Sequence, residues 1–350
     1  MTIMRRRAPV SRSLLLLLLL LLPVGLAAAP RGIAPRPDTP PVDGTPAFAR
    51  RVAPAMVGLR VQALPDAPSS ATLGAERAGS AVIFDPAGYA LSVSYLLLDA
   101  ERIEVTMRDG LTVPARLVGL DLETGVGVIK LNWAGPWPAA PLGDSSRVTV
   151  GDGAGTLGVG DGGELVAVEA RVRAVQRYTA PWEYMLDRAF VVAPANPAFG
   201  GGVLVDATGA VVGVISLRLG DRPFANLAIP IEKFLAGREE LLAKGRVASR
   251  GIRPWLGLYT DTVAGRGVVV TGVNPVGPAG PAGFRRGDVI LTIAGRSVAS
   301  QEEFYGRLWE TRIGEPLEVL VQRESGRAAL TVRPADRYRV YRTTEGGRAN

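Results

Sequence analysis

Two residue types that carry much of enzyme chemistry are missing from this chain. Its 350 residues include no cysteine and no histidine. This excludes a disulfide, a thiolate nucleophile, a Cys/His zinc site, haem attachment and an imidazole general base. We therefore expect no metal centre and no cofactor. Without histidine, a serine nucleophile would need a lysine as its general base, and the chain has three lysines, Lys130, Lys233 and Lys244.

One glycine-rich segment matches the residue pattern of a dinucleotide-binding fingerprint but lacks its structural context. Residues 153–158 read GAGTLG, but the turn sequence VGDGG follows them. A dinucleotide site needs a helix directly after the glycines, because the amides of its first turn hold the pyrophosphate. The segment therefore predicts a strand and a loop, and no nucleotide site.

The net charge of +7 does not indicate a nucleic-acid-binding protein. Four arginines lie in the first 29 residues, which contain no acid, so the rest of the chain carries 7 − 4 = +3. The remaining arginines are scattered along the chain, whereas nucleic-acid binding needs a clustered basic patch. We expect no nucleic-acid partner.

The N-terminal segment is typical of an exported protein. Residues 1–29 contain three consecutive arginines, the unbroken leucine run 14–22 and three alanines at 27–29, which are the parts of a signal peptide. We expect a periplasmic or otherwise exported protein, attached to the membrane only if this segment stays uncleaved. Residues 30–46 hold six prolines and predict an extended linker.

Residues 47–236 show short apolar runs separated by turn residues. Hairpins are predicted around the turns at residues 85–88 and 206–209, and residues 166–174 alternate apolar and polar as in a half-buried strand. This pattern favours antiparallel barrels or a sandwich pair. The apolar spacing that begins at Ile231 predicts a helix, and we assign residues 237–250 to a linking helix.

A second pattern occupies residues 251–337 and predicts a small domain of mixed strands and helix. Ser300 precedes Glu303 by three residues, a capping box that opens a helix carrying Phe304 and Leu308. Residues 338–350 are assigned to a C-terminal tail.

Taken in order, these segments resemble the HtrA/Deg family of exported trypsin-like serine proteases with C-terminal PDZ domains. The resemblance covers about residues 48–337. It is carried by GSAVIFDPAGYALS at 79–92, by ARLVGLD at 115–121 with VGVIK at 126–130, and by NPAFGGGVL at 196–204. The resemblance implies a mainly β fold, with a trypsin-like double β-barrel followed by an α+β PDZ domain.

The same resemblance implies that the catalytic triad is lost. The positions of the family's histidine, aspartate and serine are occupied by Tyr95, Gly125 and Gly200. A tyrosine with a pKa near 10 is a poor base at neutral pH, and glycine offers neither carboxylate nor nucleophile. The amides of Ala198 and Gly200 would remain as an oxyanion-hole-like pair, so we expect a pseudoprotease.

The PDZ-like segment keeps its binding motif. Residues 255–258 read WLGL, where the family has its carboxylate-binding loop, and AGFRRGDVI at 282–290 resembles the family core. By this resemblance the expected peptide-binding residues are Trp255, Leu256, Gly257, Leu258, Phe304, Tyr305 and Leu308. The last three would form the wall of the pocket that the helix contributes, although for Phe304 the domain core is the favoured placement.

Three functions remain open. The first is a scaffold, adaptor or chaperone-like holder that binds polypeptide C-termini or unfolded segments, alone or in an oligomer with copies of itself or an active protease paralogue. The second is an envelope peptidase with an unconventional site, in which Ser92 or Ser94 acts with Lys130. The third is a purely structural role, with the PDZ domain packed on the barrel.

Overall fold

The computed structural model describes residues 45–344. The predicted signal peptide, most of the predicted linker and residues 345–350 lie outside the described residues. Within the described part of the chain, no helix is long and apolar enough to cross a membrane.

The N-terminal half begins with a closed barrel of six antiparallel strands, in the order β1-β2-β3-β6-β5-β4. The predicted hairpin at residues 85–88 is confirmed, since β2 and β3 pair on either side of it. The two short helices α1 and α2 lie in connections of this barrel. The elements are β1 (Met56–Ala63), α1 (Ser70–Leu73), β2 (Glu76–Asp85), β3 (Tyr89–Val93), α2 (Ser94–Leu97), β4 (Ala100–Thr106), β5 (Thr112–Asp121) and β6 (Val126–Leu131).

A second six-stranded barrel follows, in the order β10-β11-β12-β9-β8-β7. Alternation along β8 is confirmed at its centre, where Ala170 and Val172 are buried between exposed neighbours. The glycine-rich segment 153–158 lies in β7 with no helix after it. The strands are β7 (Gly153–Val159), β8 (Leu165–Ala180), β9 (Tyr184–Ala193), β10 (Val203–Val205), β11 (Val211–Leu219) and β12 (Ala225–Pro230).

The segment that links the barrels to the next domain is helical but interrupted. It forms α3 (Ile231–Leu235) and α4 (Arg238–Lys244), followed by a 3-10 turn at Ala248–Arg250. Gly237 separates the helices, and a side chain there would collide with Val247. The structure thus interrupts the helix predicted from Ile231, and within the linking helix assigned to residues 237–250 the α-helix spans Arg238–Lys244.

The C-terminal domain is a sheet in the order β13-β14-β15-β17-β18, with β13 at one edge. Its predicted helix is confirmed as α5, and the Ser300 hydroxyl accepts from the Glu303 amide at 3.2 Å. The elements are β13 (Leu258–Val263), β14 (Gly267–Val273), β15 (Val289–Ile293), β16 (Arg296–Ser297), α5 (Gln301–Trp309), β17 (Leu317–Arg323) and β18 (Gly326–Val332). The predicted mainly β architecture is confirmed, and the N-terminal half consists of barrels.

A buried ionic cluster joins the first barrel to the C-terminal domain. Glu123 is 3% exposed, and its carboxylate lies 3.1 Å from Arg253 Nε and 3.4 Å from Arg337 Nη2. Arg337 opens the short helix α6 (Arg337–Val340). In that helix the Tyr338 hydroxyl accepts from the Leu122 amide at 2.9 Å. Residues just after the last strand therefore pack on the barrel.

Removing the shared acid of this cluster should destabilise the whole protein. We expect Glu123→Ala to lower the free energy of unfolding by about 3–5 kcal/mol, because the buried Arg337 and the half-buried Arg253 lose their counter-charge. Glu315→Ala is the matched control, since its ion pair with Arg312 is largely exposed and should leave the denaturation midpoint unchanged. Equal midpoints for the two variants in guanidinium titrations would contradict this account.

Candidate functional site

The three positions that the resemblance matches to the family's catalytic triad come together at the junction of the two barrels. Tyr95 lies in α2, Gly125 follows β5, and Gly200 precedes β10. The Ser94 amide donates to the Gly125 carbonyl at 2.8 Å. A side chain at position 200 would begin 3.1 Å from the Tyr95 hydroxyl oxygen. The structure therefore brings together the positions that the sequence indicated.

Tyr95 is unsuited to act as a base in this setting. Its hydroxyl donates to the Ser216 carbonyl at 2.9 Å. Burial raises the pKa of Tyr95 well above its ordinary value, because the phenolate would lose its hydration. The phenol therefore stays protonated at neutral pH, and its proton forms a hydrogen bond with the Ser216 carbonyl.

The space beside Gly125 is filled by another aromatic side chain. The Tyr184 hydroxyl donates to the Thr124 carbonyl at 2.6 Å. A Cβ at position 125 would lie 2.9 Å from that hydroxyl oxygen, and Gly125 has φ +84°, a conformation that favours glycine. A carboxylate at this position has no room while Tyr184 is in place.

The oxyanion-hole prediction is wrong for one of its two amides. The Ala198 amide donates to the Asn196 side-chain oxygen at 2.9 Å, because the buried Asn196 side chain folds back onto its own loop. The Gly200 carbonyl accepts from the Ser80 amide at 2.7 Å. Of the predicted pair, the Gly200 amide is the one without a hydrogen-bond acceptor among residues 45–344, and it remains to stabilise an oxyanion.

No serine–lysine pair forms near this cleft. Ser92 is fully buried, and its hydroxyl donates to the Ser80 carbonyl at 2.7 Å. Lys130 pairs with Tyr89 at the start of β3, and its amine contacts the Ala87 carbonyl, so it lies at the far end of the strand from Ser94. The other two lysines form ion pairs with Asp187 and Glu240.

A second site lies on the C-terminal domain, at the loop formed by residues 255–258. The amides of Leu256 and Leu258 converge on one carboxylate, that of Glu183 in the second barrel, at 2.8 and 2.7 Å. Gly257 has φ +81° and packs against Gly277, which brings the loop backbone close to this acid. Trp255 exchanges two backbone hydrogen bonds with Ala335 and fixes the start of the loop. We call residues 255–258 the carboxylate loop.

The expected pocket residues on α5 are all buried. Phe304 and Leu308 are fully buried and belong to the domain core. This agrees with the favoured placement of Phe304 in the core, whereas Leu308 does not line a peptide groove in this structure. Tyr305 is also buried, but its hydroxyl lies 2.9 Å from the Ala180 and Pro181 carbonyls and accepts from the Glu183 amide at 3.0 Å. Tyr305 therefore contacts the barrel.

The barrel segment that meets this domain is the β8–β9 turn, residues 181–183. Besides the Glu183 contacts, the Pro181 carbonyl accepts from the Thr260 amide at 2.9 Å, on the edge strand β13. Glu183 has φ +56°, which is uncommon for a residue with a side chain. Sequence reasoning missed Glu183, because a lone acid between two strands carries no local pattern that predicts such a contact.

Burial governs the protonation of Glu183. The side chain is 1% exposed, and burial raises its pKa to about 7 although the loop amides and Arg337 favour the charged form. This acid therefore titrates near neutral pH.

A cavity of about 490 Å³ lies between the cleft and the carboxylate loop. One side is formed by the barrels and the other by the C-terminal domain. Its lining includes Ser94, Tyr95, Gly125, Tyr184, Phe199, Ser216, Trp255, Gly257, Leu258, Tyr259, Asn274, Arg337 and Tyr341. The two candidate sites thus share one space.

Introducing histidine, aspartate and serine at the three triad-like positions should not by itself produce proteolysis. The variant Tyr95→His/Gly125→Asp/Gly200→Ser is expected to leave casein hydrolysis near background, because Tyr184 blocks the carboxylate, whose loss costs triad enzymes about 10⁴ in kcat. Adding Tyr184→Phe removes the blocking hydroxyl and should raise hydrolysis at least about tenfold. The control carries alanine at position 200 instead of serine. A triple variant as active as the quadruple one would contradict this assignment.

Comparison with known proteins identifies the two kinds of domain in this chain. A model of the trypsin-like peptidase domain matches residues 79–214, and a model of the PDZ domain matches residues 249–333. The serine endoprotease DegS of Escherichia coli K12 is 28% identical over 317 residues, covering 83% of this chain and 86% of DegS. A DegP-like protein of Halomonas elongata, whose name places it in the periplasm, is 29% identical over 74% of this chain and 56% of its own length.

Solved structures show the same likeness. The HtrA-type protease AlgW, solved with a tripeptide, has a TM-score of 0.52 at 27% identity, covering 83% of this chain and 97% of that one. The serine endoprotease from Yersinia pestis has a TM-score of 0.50 at 27% identity, covering 83% and 96%. The chain spans 56 to 66% of the length of the first curated relatives it matches. The chain therefore carries a trypsin-like serine protease domain similar to those of HtrA and DegS, followed by a C-terminal PDZ domain.

Proposed function

We propose that this chain is an exported, proteolytically inactive HtrA-like protein that binds the free C-termini of polypeptides through its PDZ domain. In this role it serves as a scaffold, an adaptor or a chaperone-like holder. The observation that carries the proposal is the carboxylate loop itself, in which two backbone amides hold a carboxylate at 2.7 and 2.8 Å. Capture of a terminal carboxylate by loop amides, with strand addition to a sheet edge, is an established mode of peptide recognition.

Three features of the cleft support inactivity. Position 200 has no nucleophile, Tyr95 holds its proton against a carbonyl, and Tyr184 occupies the place of a third catalytic residue. A single oxyanion donor at Gly200 would give only a small part of the acceleration of a complete triad enzyme.

Export is supported by two independent observations. The composition of residues 1–29 is that of a signal peptide, and relatives of this chain are named as periplasmic proteins.

The alternative, a peptidase with an unconventional site, requires a base near Ser94. All three lysines of the chain contact other groups, so Ser94 has no amine beside it. The geometry favours the binding function over this alternative.

We expect no turnover of a protein substrate. Denatured casein incubated with the purified chain should give the same peptide release as buffer, because no residue in the cleft can generate a nucleophile. The Ser94→Ala variant is the control. Cleavage by the wild-type chain that vanishes in Ser94→Ala would overturn the assignment as a pseudoprotease.

Peptide binding should depend on a free terminal carboxylate. We expect the full chain to bind peptides from a C-terminal library, and amidation of the last residue to weaken affinity at least about tenfold. A hydrogen bond to a charged group contributes roughly 1.5–3 kcal/mol, and 1.4 kcal/mol corresponds to a factor of ten. Fluorescence anisotropy at up to millimolar protein measures both forms.

Amidation of the peptide is the matched change because the loop itself tolerates little substitution. Leu256 is fully buried, and a side chain at Gly257 would meet the backbone of Gly277. Equal affinities for free and amidated peptides would contradict the proposed carboxylate recognition.

A further inference from the structure

We propose that the β8–β9 turn is an internal ligand of the PDZ domain, and that an external C-terminus binds only by displacing it. This inference rests on the proposed function and concerns the regulation of the same site.

The turn makes both kinds of contact that a bound C-terminus would make. Its Glu183 carboxylate fills the carboxylate loop, and its Pro181 carbonyl accepts from the Thr260 amide on the edge strand β13. An external peptide needs the same amides of Leu256, Leu258 and Thr260. The two ligands therefore cannot be bound together.

A proline in the turn fits the edge strand closely. In an antiparallel pair, two residues opposite each other exchange two hydrogen bonds. Between Pro181 and Thr260, the second of these bonds would run from an N–H of the turn to the Thr260 carbonyl. Pro181 has no N–H to donate, and the Thr260 carbonyl already accepts from the Gln301 side chain at 2.6 Å. The edge is thus complementary to a ligand with proline two residues before the carboxylate-bearing residue.

The hairpin itself places Glu183 at the carboxylate loop. Ala180 pairs with Tyr184, so residues 181–183 form a three-residue loop. Glu183 is the last residue of this loop and adopts φ +56°, the left-handed conformation that is usual at this position of three-residue hairpin loops. The loop amides and the Tyr305 hydroxyl then bind the acid and its backbone where the hairpin presents them.

The domains stay joined when the turn leaves the loop. The ionic cluster at Glu123 and the contact of Tyr338 with Leu122 include no hydrogen bond to the turn or to the carboxylate loop, although the charge of Arg337 also faces Glu183. Displacement therefore requires a local movement of residues 181–183, with no separation of the PDZ domain from the barrel.

Protonation of Glu183 should tune this competition. The titratable and charged groups that face it are Arg337 and Tyr305. Burial raises the pKa of Tyr305 to about 12, so within the range from pH 5.5 to 8 Glu183 is the member of this set that titrates.

The direction of the pH effect follows from the pKa of Glu183 in two states: docked, with its side chain in the carboxylate loop, and released, with the turn displaced. The docked acid has a pKa of about 7, above its ordinary value of 4.5. The docked state therefore binds more protons between these values, so acid pH favours it. Its advantage is lost as the pH rises through 7. Peptide affinity of the wild-type chain should be about tenfold higher at pH 8 than at pH 5.5.

The test measures binding of fluorescein-labelled decapeptides, with randomised last four residues and free C-termini, to the full chain and its variants. We expect Glu183→Ala to bind at least tenfold more tightly than wild type, and Glu183→Gln to lose the pH dependence. The amidated pool controls for carboxylate dependence. Glu164→Ala removes an exposed acid next to β8 and should match the wild-type chain.

Outcomes that overturn the two proposals differ. If wild type and Glu183→Ala bind the free pool equally at both pH values, the internal ligand is overturned and the C-terminus receptor stands. If neither chain binds the free pool better than the amidated pool, the proposed function fails and the inference fails with it.

A measurement on the unsubstituted chain guards against misfolding of a variant. Hydrogen exchange should show protected amides at Leu256, Leu258 and Thr260 in the free protein, because each donates to the turn. Exchange of these amides at the rate of exposed turn residues would overturn the inference without any substitution.

Discussion

The arrangement of this protein depends on how one buried carboxylate is satisfied. Glu183 lies between two domains, out of contact with water, and a buried acid without partners is strongly destabilising. The amides of Leu256 and Leu258 and the hydroxyl of Tyr305 together fix the acid and its backbone. Because those amides belong to the PDZ loop, satisfying the acid also orients the PDZ domain on the second barrel.

The position of Glu183 links the two candidate sites. Tyr184, the next residue, occupies the space beside Gly125 in the cleft. The same two-residue segment thus fills the carboxylate loop with one side chain and the space beside Gly125 with the other. Both sites open onto the same cavity. Because Glu183 and Tyr184 are consecutive residues, a movement of Glu183 at the PDZ loop would also displace Tyr184 in the cleft.

Much of the fold and part of the site could be predicted from local sequence. Turn residues defined the hairpin at 85–88, and Ser300 with Glu303 defined the start of α5. The three triad-like positions followed from motifs that each span only a few residues. Such features are encoded by near neighbours. The interruption of the linking helix at Gly237 was missed, because it depends on the packing of Val247 ten residues away.

The rest of the site is built from contacts between residues far apart in sequence. Glu183 meets amides 73 and 75 residues further along the chain, and Tyr184 contacts Thr124 across 60 residues. The spacing of apolar and polar residues along the sequence does not predict contacts between such distant residues. The buried state of Leu308 has the same origin, since an amphipathic helix shows the same sequence pattern whether its apolar face lines a groove or a core.

The most direct test of the account is the titration of the Glu183 side chain in the free, full-length protein, followed by NMR of the ¹³C-labelled carboxyl carbon and assigned with Glu183→Gln. If the acid is held in the carboxylate loop, its midpoint lies near pH 7 and shifts down when a peptide with a free C-terminus is added. A midpoint near the ordinary glutamate value of 4.5, unchanged by peptide, would contradict the account.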